Sequence, residues 1–358
     1  MRDWRSVLKG DAMEWLLEES NPSVRYHALL WLCDQPENSA DVVRTRRAIA
    51  RSAPVQKIIA DQRPGGYWGS DPRPHHATAG HLRLLLWLGA PRSEAVRKAM
   101  DYRVACLLPD GAYGIGTPER AYLVPCHGAE MLSLMLRYGY AADPRTRKLL
   151  DWLLRIQEGD GVWPCPSKRN HFPCMWATAD ILRSLRDLPP RWVTARVQQA
   201  RRRASELFLN SNLSQYHRRK VDPRWFQFGF PLAFTSDILD VLESIAPYVS
   251  PDEERIQEPL KIILSKQDKR GRWPCEKHPQ GGMWIERYGV LEEIGAPSKW
   301  VTLHALRTLK LLYGAAEEPL PSNRGRILTQ EIGETVQSFG QAFTFTLSPF
   351  PLYNRPAD

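Results

Sequence analysis

One turn signature recurs along the chain and limits what it can fold into. A glutamine is followed four residues later by a glycine and six residues later by a tryptophan, at Gln62, Gly66 and Trp68, at Gln157, Gly161 and Trp163, and at Gln267, Gly271 and Trp273. Leu107, Gly111 and Tyr113 form a degenerate copy. Each copy indicates a helix end, a glycine turn and an aromatic side chain that closes the turn.

The intervals between the turn glycines predict a repeat architecture. Gly66 to Gly111 spans 45 residues, Gly111 to Gly161 spans 50, and Gly161 to Gly271 spans 110. The last interval fits two units with one eroded turn between them, near residues 210–216. A recurring period of this length is typical of stacked helical repeats.

Between the turns the sequence alternates two amphipathic helices per unit, as expected when each unit buries its apolar face against its neighbours. The helices that follow the turns are predicted at 23–33, 77–89, 126–138, 175–188, 231–245 and 298–313. Their partners are richer in charged residues and should face outward, at 40–60, 94–107, 144–157, 194–209 and 252–266. Six inner helices can close a ring. The sequence leaves open whether residues 11–18 or the region after 314 supply the sixth outer helix.

Length and composition fit one large domain at residues 1–314 followed by an extension, 315–358, that packs on it. The chain has 358 residues, of which 43% are hydrophobic. No apolar run approaches the roughly 18 residues of a membrane span, and no apolar signal core precedes the domain. Six cysteines without an export signal favour reduced thiols. We therefore expect a cytoplasmic protein.

The net charge of +9 raises the question of an anionic partner. Much of it lies in runs such as 196–203 and 218–220, and no aromatic residue interleaves Arg201, Arg202 and Arg203. Because single-stranded nucleic acid is held by basic and aromatic side chains together, a solvated outer helix face is favoured over nucleic-acid binding. Contact with a membrane surface stays open, and the sequence does not indicate an oligomeric state.

Turns of this kind, joining alternating inner and outer helices, resemble the repeats of the squalene-hopene cyclase and protein prenyltransferase beta-subunit superfamily. The resemblance covers residues 21–314. It implies an all-α (α/α)6 toroid whose inner helices surround a cavity that holds an isoprenoid. Trp176, Phe234 and Trp300 stand near predicted inner-helix starts, where they could line the mouth of such a cavity or simply belong to the core.

Class II cyclases of this superfamily protonate an alkene or epoxide with a D-x-D-D motif at the start of an inner helix. The matching starts here read Ala177-Thr178-Ala179-Asp180 and Phe234-Thr235-Ser236-Asp237, so each keeps one aspartate. A lone carboxyl group is a poor acid for an alkene unless burial or a partner raises its pKa. The chain also lacks a D-D-x-x-D segment.

Aligning the second halves of the inner helices places one residue of each at an equivalent position, which should face the interior. These residues are Arg25, His81, Met131, Asp180, Asp237 and His304. Asp180, Asp237, His81 and His304 could carry out acid-base catalysis, and Arg25 could grip a polar head group. The alternative is that Asp180 and Asp237 satisfy helix ends.

Cysteines and a histidine cluster beside the second full turn. Cys165, His171 and Cys174 lie within ten residues, and Cys126 stands at the start of the preceding inner helix. Three thiolates and one imidazole are a common tetrahedral zinc set, so these four residues are a candidate zinc site. Prenyltransferase beta subunits also hold a zinc at the cavity rim, but with an aspartate, a cysteine and a histidine that do not match these positions.

Two functional hypotheses from different classes follow. The first is an isoprenoid-handling enzyme that acts on an isoprenoid or other apolar small molecule in a central cavity. The second is a toroid without catalytic activity that binds a lipid, a protein partner or a structural zinc. A carbohydrate-active barrel is a third possibility, which the glutamine-tryptophan turns disfavour.

Overall fold

The structure, a computed structural model, describes residues 3–69, 77–115, 122–164, 175–213, 215–216, 219–220, 223–232, 236–279 and 283–314. Within those ranges, every helix falls short of the length or the apolarity that a bilayer span requires. The chain divides into a compact unit, Met1–Leu320, and a second unit, Pro321–Asp358, which lies outside the described residues. The predicted packing of the 315–358 extension therefore stays a prediction.

Six inner helices form a closed ring within the described ranges. They are α2 (Pro22–Trp31), α5 (Thr78–Trp87), α7 (Pro125–Arg137), α9 (Met175–Arg186), α11 (Ile238–Ile245) and α14 (Lys299–Tyr313). Consecutive members pack against each other from α5 to α14, and α14 packs against α2. A contact of 2.8 Å between His27 Nε2 and the Trp87 carbonyl joins α2 to α5. We refer to the interior that these helices enclose as the lumen.

The outer layer consists of α3 (Ala40–Arg51), α4 (Ala53–Ala60), α6 (Glu94–Val104), α8 (Pro144–Arg155), α10 (Ala195–Asn210) and α12 (Gln257–Ser265). The predicted outer helix 40–60 is divided at Ser52, which is extended, and Pro54 lies in the first turn of α4. Proline fits there because a first-turn N–H has no helical partner. The predicted all-α (α/α)6 toroid is confirmed.

The short α1 (Met13–Leu16) and α13 (Met283–Glu286) and three two-residue antiparallel pairs complete the α-helices and β-strands of the described residues. The pairs join β1 (Gly114–Ile115) to β2 (Tyr122–Leu123), β3 (Gln215–Tyr216) to β4 (Arg219–Lys220), and β5 (Trp273–Pro274) to β6 (Pro297–Ser298).

The tryptophan of each full turn is buried and fastens the turn to the outer helix before it. The indole N–H groups of Trp68, Trp163 and Trp273 donate to the carbonyls of Ile58, Leu153 and Ile263, at 2.7, 2.8 and 2.7 Å. A buried indole needs such a partner, because an unpaired N–H away from water is costly. The predicted aromatic closure of the turns is confirmed.

The glutamine reaches forward to the next outer helix. Gln157 Nε2 donates to the carbonyl of Gly161 at 3.0 Å and to that of Ala200 in α10 at 2.9 Å. Gln62 does the same with Gly66 and with Ala95 in α6. These two turns therefore each tie two consecutive outer helices together.

The N-terminal segment takes the sixth outer position, which the sequence left open. Gln267 accepts the backbone N–H of Lys9 at 2.7 Å, and a β-carbon on Gly271 would overlap the backbone of Gly10. A 3₁₀ segment, Trp4–Val7, and α1 pack against α14, and α1 also packs against α2. These contacts close the outer layer within the described residues.

The eroded turn keeps its aromatic residue. The indole N–H of Trp225 donates to the Leu213 carbonyl at 2.8 Å, and Trp225 is fully buried. The turn glutamine and glycine are missing here, so the sequence pattern did not identify Trp225 as a turn residue.

Candidate functional site

Threonines at three inner-helix starts fix each helix relative to the turn that precedes it. Their Oγ1 atoms accept the backbone N–H of the turn tryptophans, Thr78 from Trp68, Thr178 from Trp163 and Thr302 from Trp273, at 3.2, 3.2 and 2.9 Å. Five residues after each threonine stands an arginine: Arg83, Arg183 and Arg307. The shared anchor therefore gives these arginines equivalent positions on α5, α9 and α14.

Four charged side chains at the starts and middles of α5, α7 and α9 form the first part of a buried ion-pair network. Arg83 lies 2.9 Å from Glu130 and 3.3 Å from Asp180. Arg183 lies 3.2 Å from Asp180. The side chains of Arg83 and Glu130 are only 6% and 3% exposed. Asp180 thus bridges two helices through two guanidinium groups.

The network continues onto α11. Arg183 Nε lies 3.0 Å from Asp240 Oδ1, and its terminal nitrogen donates to Asp240 Oδ2 at 3.1 Å. Ser236 also donates its hydroxyl to Asp240 Oδ2 at 2.5 Å. Asp240 is therefore held by groups from both α9 and the start of α11.

Glu243, one turn further along α11, is the most enclosed member. Its carboxylate lies 3.0 Å from Arg186, 2.9 Å from Arg307 and 2.7 Å from His304, and the side chain is 1% exposed. Arg186 and Arg307 also contact Asp187, at 2.9 and 3.1 Å. The Asp187 side chain is 46% exposed, so the network extends from the buried Glu243 to solvent.

We call this set the lumen network: Arg83, Glu130, Asp180, Arg183, Arg186, Asp187, Asp240, Glu243, His304 and Arg307. In this set five carboxyl groups face four guanidinium groups. The imidazole of His304 contacts Glu243 within the same set.

The buried carboxyl groups fall into two kinds by pKa. Burial alone would raise the pKa of Glu130, but Arg83 and His127 lower it to about 2. The same competition, with His304, Arg186 and Arg307 as the cations, lowers the pKa of Glu243 to about 2. These two groups are ionised at neutral pH.

Asp240 and Asp237 belong to the second kind. Burial raises the pKa of Asp240 despite Arg183, and the charge of Asp237 adds to the rise. Burial likewise raises the pKa of Asp237, against the effect of Lys277 at 3.5 Å. Because burial and a neighbouring carboxyl group both favour the neutral form, Asp240 holds its proton to a higher pH than a free aspartate does.

Asp237 itself caps a helix. Its Oδ1 accepts the backbone N–H of Asp240 at 3.0 Å, so α11 begins at Ile238 and not at the predicted residue 231. Residues 223–232 include a 3₁₀ turn, Pro223–Phe226, and residues 227–232 have no regular structure. The shorter helix places Asp240 and not Asp237 beside Arg183.

His81 and Arg25 lie outside the lumen network. The His81 ring stacks on Trp68 with centroids 5.2 Å apart, and its Nδ1 lies 2.5 Å from the Ala77 carbonyl. His81 was predicted to be equivalent to Asp180. When α5 and α9 are aligned on Thr78 and Thr178, the residue equivalent to Asp180 is Gly80 instead. Arg25 donates to the Leu17 carbonyl near the chain start.

The other predicted residues divide between described and undescribed positions. His304 and Asp180 are members of the lumen network. Trp176 is half-buried on α9 one turn before Asp180, Trp300 is buried, and Cys126 is half-buried on α7. Phe234, Cys165, His171 and Cys174 lie outside the described residues. Among the described residues, no group of three or more His, Cys, Asp or Glu side chains could hold a metal ion.

Eight residues of the lumen network were not predicted from the sequence: Arg83, Glu130, Arg183, Arg186, Asp187, Asp240, Glu243 and Arg307. A sequence signal was present for the three arginines Arg83, Arg183 and Arg307. The inner-helix starts read Thr-Ala-Gly-His-Leu-Arg at 78–83, Thr-Ala-Asp-Ile-Leu-Arg at 178–183 and Thr-Leu-His-Ala-Leu-Arg at 302–307. This threonine-to-arginine spacing aligns α5, α9 and α14 as the structure does.

The chain was compared with known proteins. No protein-family model matches it, and no curated protein matches it. A solved structure of the type II terpene cyclase MstE from Scytonema, in complex with geranylgeranyl dihydroxybenzoate, is 16% identical, with a TM-score of 0.42 over 82% of this chain and 86% of that chain. A protein from Actinoplanes is 16% identical, with a TM-score of 0.43 over 82% and 90%. These are distant similarities.

Proposed function

We propose that this protein is an isoprenoid-handling enzyme in which Asp240 acts as a general acid in the lumen. The observation that carries the proposal is the pair of buried carboxyl groups at the start of α11, both with raised pKa. The turn repeats resemble those of a superfamily whose class II cyclases protonate an alkene or epoxide from an inner-helix start. The position of Asp240 near the start of α11 supports an acid at such a place despite the missing D-x-D-D motif.

The contacts of Asp240 suit a proton donor. In its neutral form the carboxyl group transfers its proton to a carbon of an alkene or to an epoxide oxygen, and the cation forms on the substrate. The resulting carboxylate is stabilised by Arg183 and by the Ser236 hydroxyl. Asp237 keeps the acid protonated before transfer because two adjacent carboxyl groups disfavour a second negative charge.

Aromatic side chains adjoin the charged groups and would face an apolar substrate. Trp31 is half-buried with its ring 5.6 Å from that of His304, and Trp87 is half-buried with Arg83 5.5 Å from its ring centre. Rings of this kind add apolar area and attract positive charge.

A second candidate is a toroid that binds a ligand or partner without turning it over. The observation that favours it is the density of ion pairs around Glu243, where Arg186, Arg307 and His304 satisfy one carboxylate. Such a cluster joins α9, α11 and α14, and loss of one partner would leave an uncompensated buried charge whether or not a reaction takes place.

Incubation with prenyl diphosphates of several lengths and with squalene, followed by extraction and mass spectrometry, tests the proposal. Product formation by the wild type and its loss in Asp240→Asn are expected. Asp187→Asn is the matched control, because Asp187 belongs to the same network but is largely exposed. Absence of turnover with all these substrates would favour the binding protein.

A further inference from the structure

A cavity of about 440 Å³ lies in the outer layer, between the end of α10 and the start of α12. Its apolar walls are Phe226 from the eroded turn, Ile238 from the start of α11, and Pro259 and Ile262 from α12. We call this cavity the seam pocket. Its described lining shares no residue with the lumen network, so it is a separate site. Its volume is in the range of pockets that hold small organic molecules.

The seam pocket lies where other units place the turn glycine. A β-carbon on Gly111 would overlap the backbone of Lys148 in α8, five residues before Leu153, whose carbonyl accepts a turn indole N–H. The corresponding indole acceptor on α12 is Ile263, and five residues before it stands Glu258. Residues 210–225 contain no glycine to pack there, and Glu258 lines the pocket instead.

The turn glutamine is missing from the same place. In the preceding unit Gln157 donates to the carbonyl of Ala200, three residues before the contact of the turn glycine on α10. The corresponding carbonyl beside the seam pocket is that of Arg255. Pro259, four residues later, has no N–H to direct at this carbonyl in the helical pattern. A ligand that carries N–H groups can donate to it, as the glutamine does in the preceding unit.

The acidic side chains of the seam pocket stand in solvent. Glu254 and Glu258 both line it and are exposed. Glu258 lies 4.0 Å from Lys261, and these two side chains are 72% and 78% exposed. An ion pair so exposed contributes little, so the carboxylate of Glu258 can receive a second cation.

Arg255 also lines the pocket but does not cancel the charge of these carboxylates. Its guanidinium group lies 2.8 Å from Glu206 and 2.8 Å from Glu253, and it donates to the Asn210 side chain at 3.1 Å. Two carboxylates therefore balance its charge and occupy its donors. The pocket thus combines two further carboxylates and a carbonyl with apolar walls, which favours a cation that has N–H groups and an apolar body.

We propose that the seam pocket binds a small organic ammonium ion. Its N–H groups donate to the Arg255 carbonyl and to the two exposed carboxylates, and its apolar body packs against Phe226 and Ile262. The ligand takes the place of the turn glutamine and glycine that this unit lacks, and so joins α10 to α12. This inference is independent of the proposed function, because it uses no residue of the lumen network.

Three probes of one shape and different charge test the proposal: phenylbutylamine, phenylbutanol and phenylbutyrate. Their affinities are measured by ligand-observed NMR titration at neutral pH and low salt. We expect the amine to bind about threefold or more tightly than the alcohol, and the carboxylate to bind most weakly, because exposed carboxylates add a modest attraction for a cation.

Two variants locate the site. Glu258→Gln should weaken amine binding about threefold and leave alcohol binding unchanged. Glu19→Gln is the matched control, since it neutralises an exposed carboxylate outside the pocket. Ile262→Trp should fill the pocket and abolish binding of both the amine and the alcohol. If Ile262→Trp does not fold, Glu258→Gln and Glu19→Gln decide the matter, because both change exposed side chains.

Each contrary outcome overturns a stated part of the proposal. Absence of amine binding would refute the site, and equal affinity for the three probes would refute the preference for a cation. Amine binding that Glu258→Gln and Glu19→Gln weaken equally would show attraction to the protein surface in general. Turnover of prenyl substrates, or its absence, bears on the proposed function alone.

Discussion

Nε2 of His81 lies 2.8 Å from the hydroxyl group of Tyr288, across a sequence separation of 207 residues. The same hydroxyl donates to Asp61 Oδ2 at 2.8 Å, and Arg287 lies 2.5 Å from that oxygen. Burial is the main cause of the raised pKa of Tyr288, and Asp61 adds to it, so the phenol stays neutral. The segment before α14 is thereby joined to the first full turn.

Removing this hydroxyl should destabilise the fold. We expect Tyr288→Phe to lower the free energy of unfolding by about 1 to 3 kcal/mol, because Asp61 and His81 lose a buried partner. Tyr113→Phe is the control, since the Tyr113 hydroxyl is buried without a hydrogen-bond partner among the described residues. Urea unfolding of both variants measures the difference, and equal losses would show that the contact does not stabilise the protein.

Two glycines of one turn should respond differently to alanine. Gly161 has a φ of +93°, and a β-carbon there would overlap the Arg203 backbone, whereas nothing lies within 4 Å of a β-carbon on Gly159. Gly161→Ala should therefore cost more than about 3 kcal/mol of stability, and Gly159→Ala less than about 1 kcal/mol. Thermal unfolding of the two variants decides this, and similar melting temperatures would contradict the close packing of the turn on α10.

The sequence was sufficient to predict the toroid because its turns are built from local, repeated contacts. The Gln157, Gly161 and Trp163 contacts all depend on spacing within one unit and on the next outer helix. The eroded turn was located only approximately, because Trp225 follows at a different spacing and lacks both partner residues.

The lumen network was predicted only in part, since it depends on register. Asp180 and His304 were found because they stand at equivalent positions in α9 and α14. His81 and Asp237 were assigned to the equivalent positions by aligning the second halves of the inner helices. In the structure, the Thr78 anchor makes Gly80 the equivalent residue on α5, and the Asp237 cap makes α11 begin later than predicted. The pairing of Arg183 with Asp240 joins two helices, and no pattern within either helix encodes it.

Acid should weaken the fold through Glu130 and Glu243. Their pKa values of about 2 in the folded protein lie below the ordinary value of 4.5, so their contribution is fully present above about pH 4.5 and is lost as the pH falls toward 2. The difference of about 2.5 pKa units sets an upper limit of about 3 kcal/mol for each group. Glu130→Gln should flatten this acid limb in urea unfolding measured from about pH 7 to about pH 2.

Ionisation of Asp240 should affect stability in the opposite direction to ionisation of Glu130 and Glu243, and Asp240→Asn tests this. Its raised pKa means that ionisation of Asp240 opposes folding as the pH rises, so removing the group should leave the acid limb in place. An acid limb that is equally steep in the wild type and in Glu130→Gln would contradict the ion pairing of Glu130 with Arg83.

Substitutions of the two aspartates at the start of α11, Asp237 and Asp240, should have different kinetic effects. Asp240→Asn should lower turnover by about a hundredfold or more, because it removes the proton donor. Asp237→Asn keeps an oxygen that caps α11, so the fold should persist. It should instead move the basic limb of the pH profile of kcat/KM to lower pH, because the charge that raises the pKa of Asp240 is gone. An unchanged profile in Asp237→Asn, or full activity in Asp240→Asn, would refute these roles.

The last prediction concerns zinc. Cys126 stands half-buried at the start of α7, and the other three proposed ligands, Cys165, His171 and Cys174, lie outside the described residues. Because three thiolates and one imidazole complete a tetrahedral zinc set, we expect about one zinc ion per chain in protein purified without chelator. The Cys165→Ser, Cys174→Ser double variant should lack it, and Cys33→Ser, which changes an exposed thiol, should retain it. Thiolate ligands are protonated in acid, so the metal should be released on acidification, together with stability if the ion is structural. Elemental analysis after dialysis measures the content, and an unchanged metal content in the double variant would rule the site out.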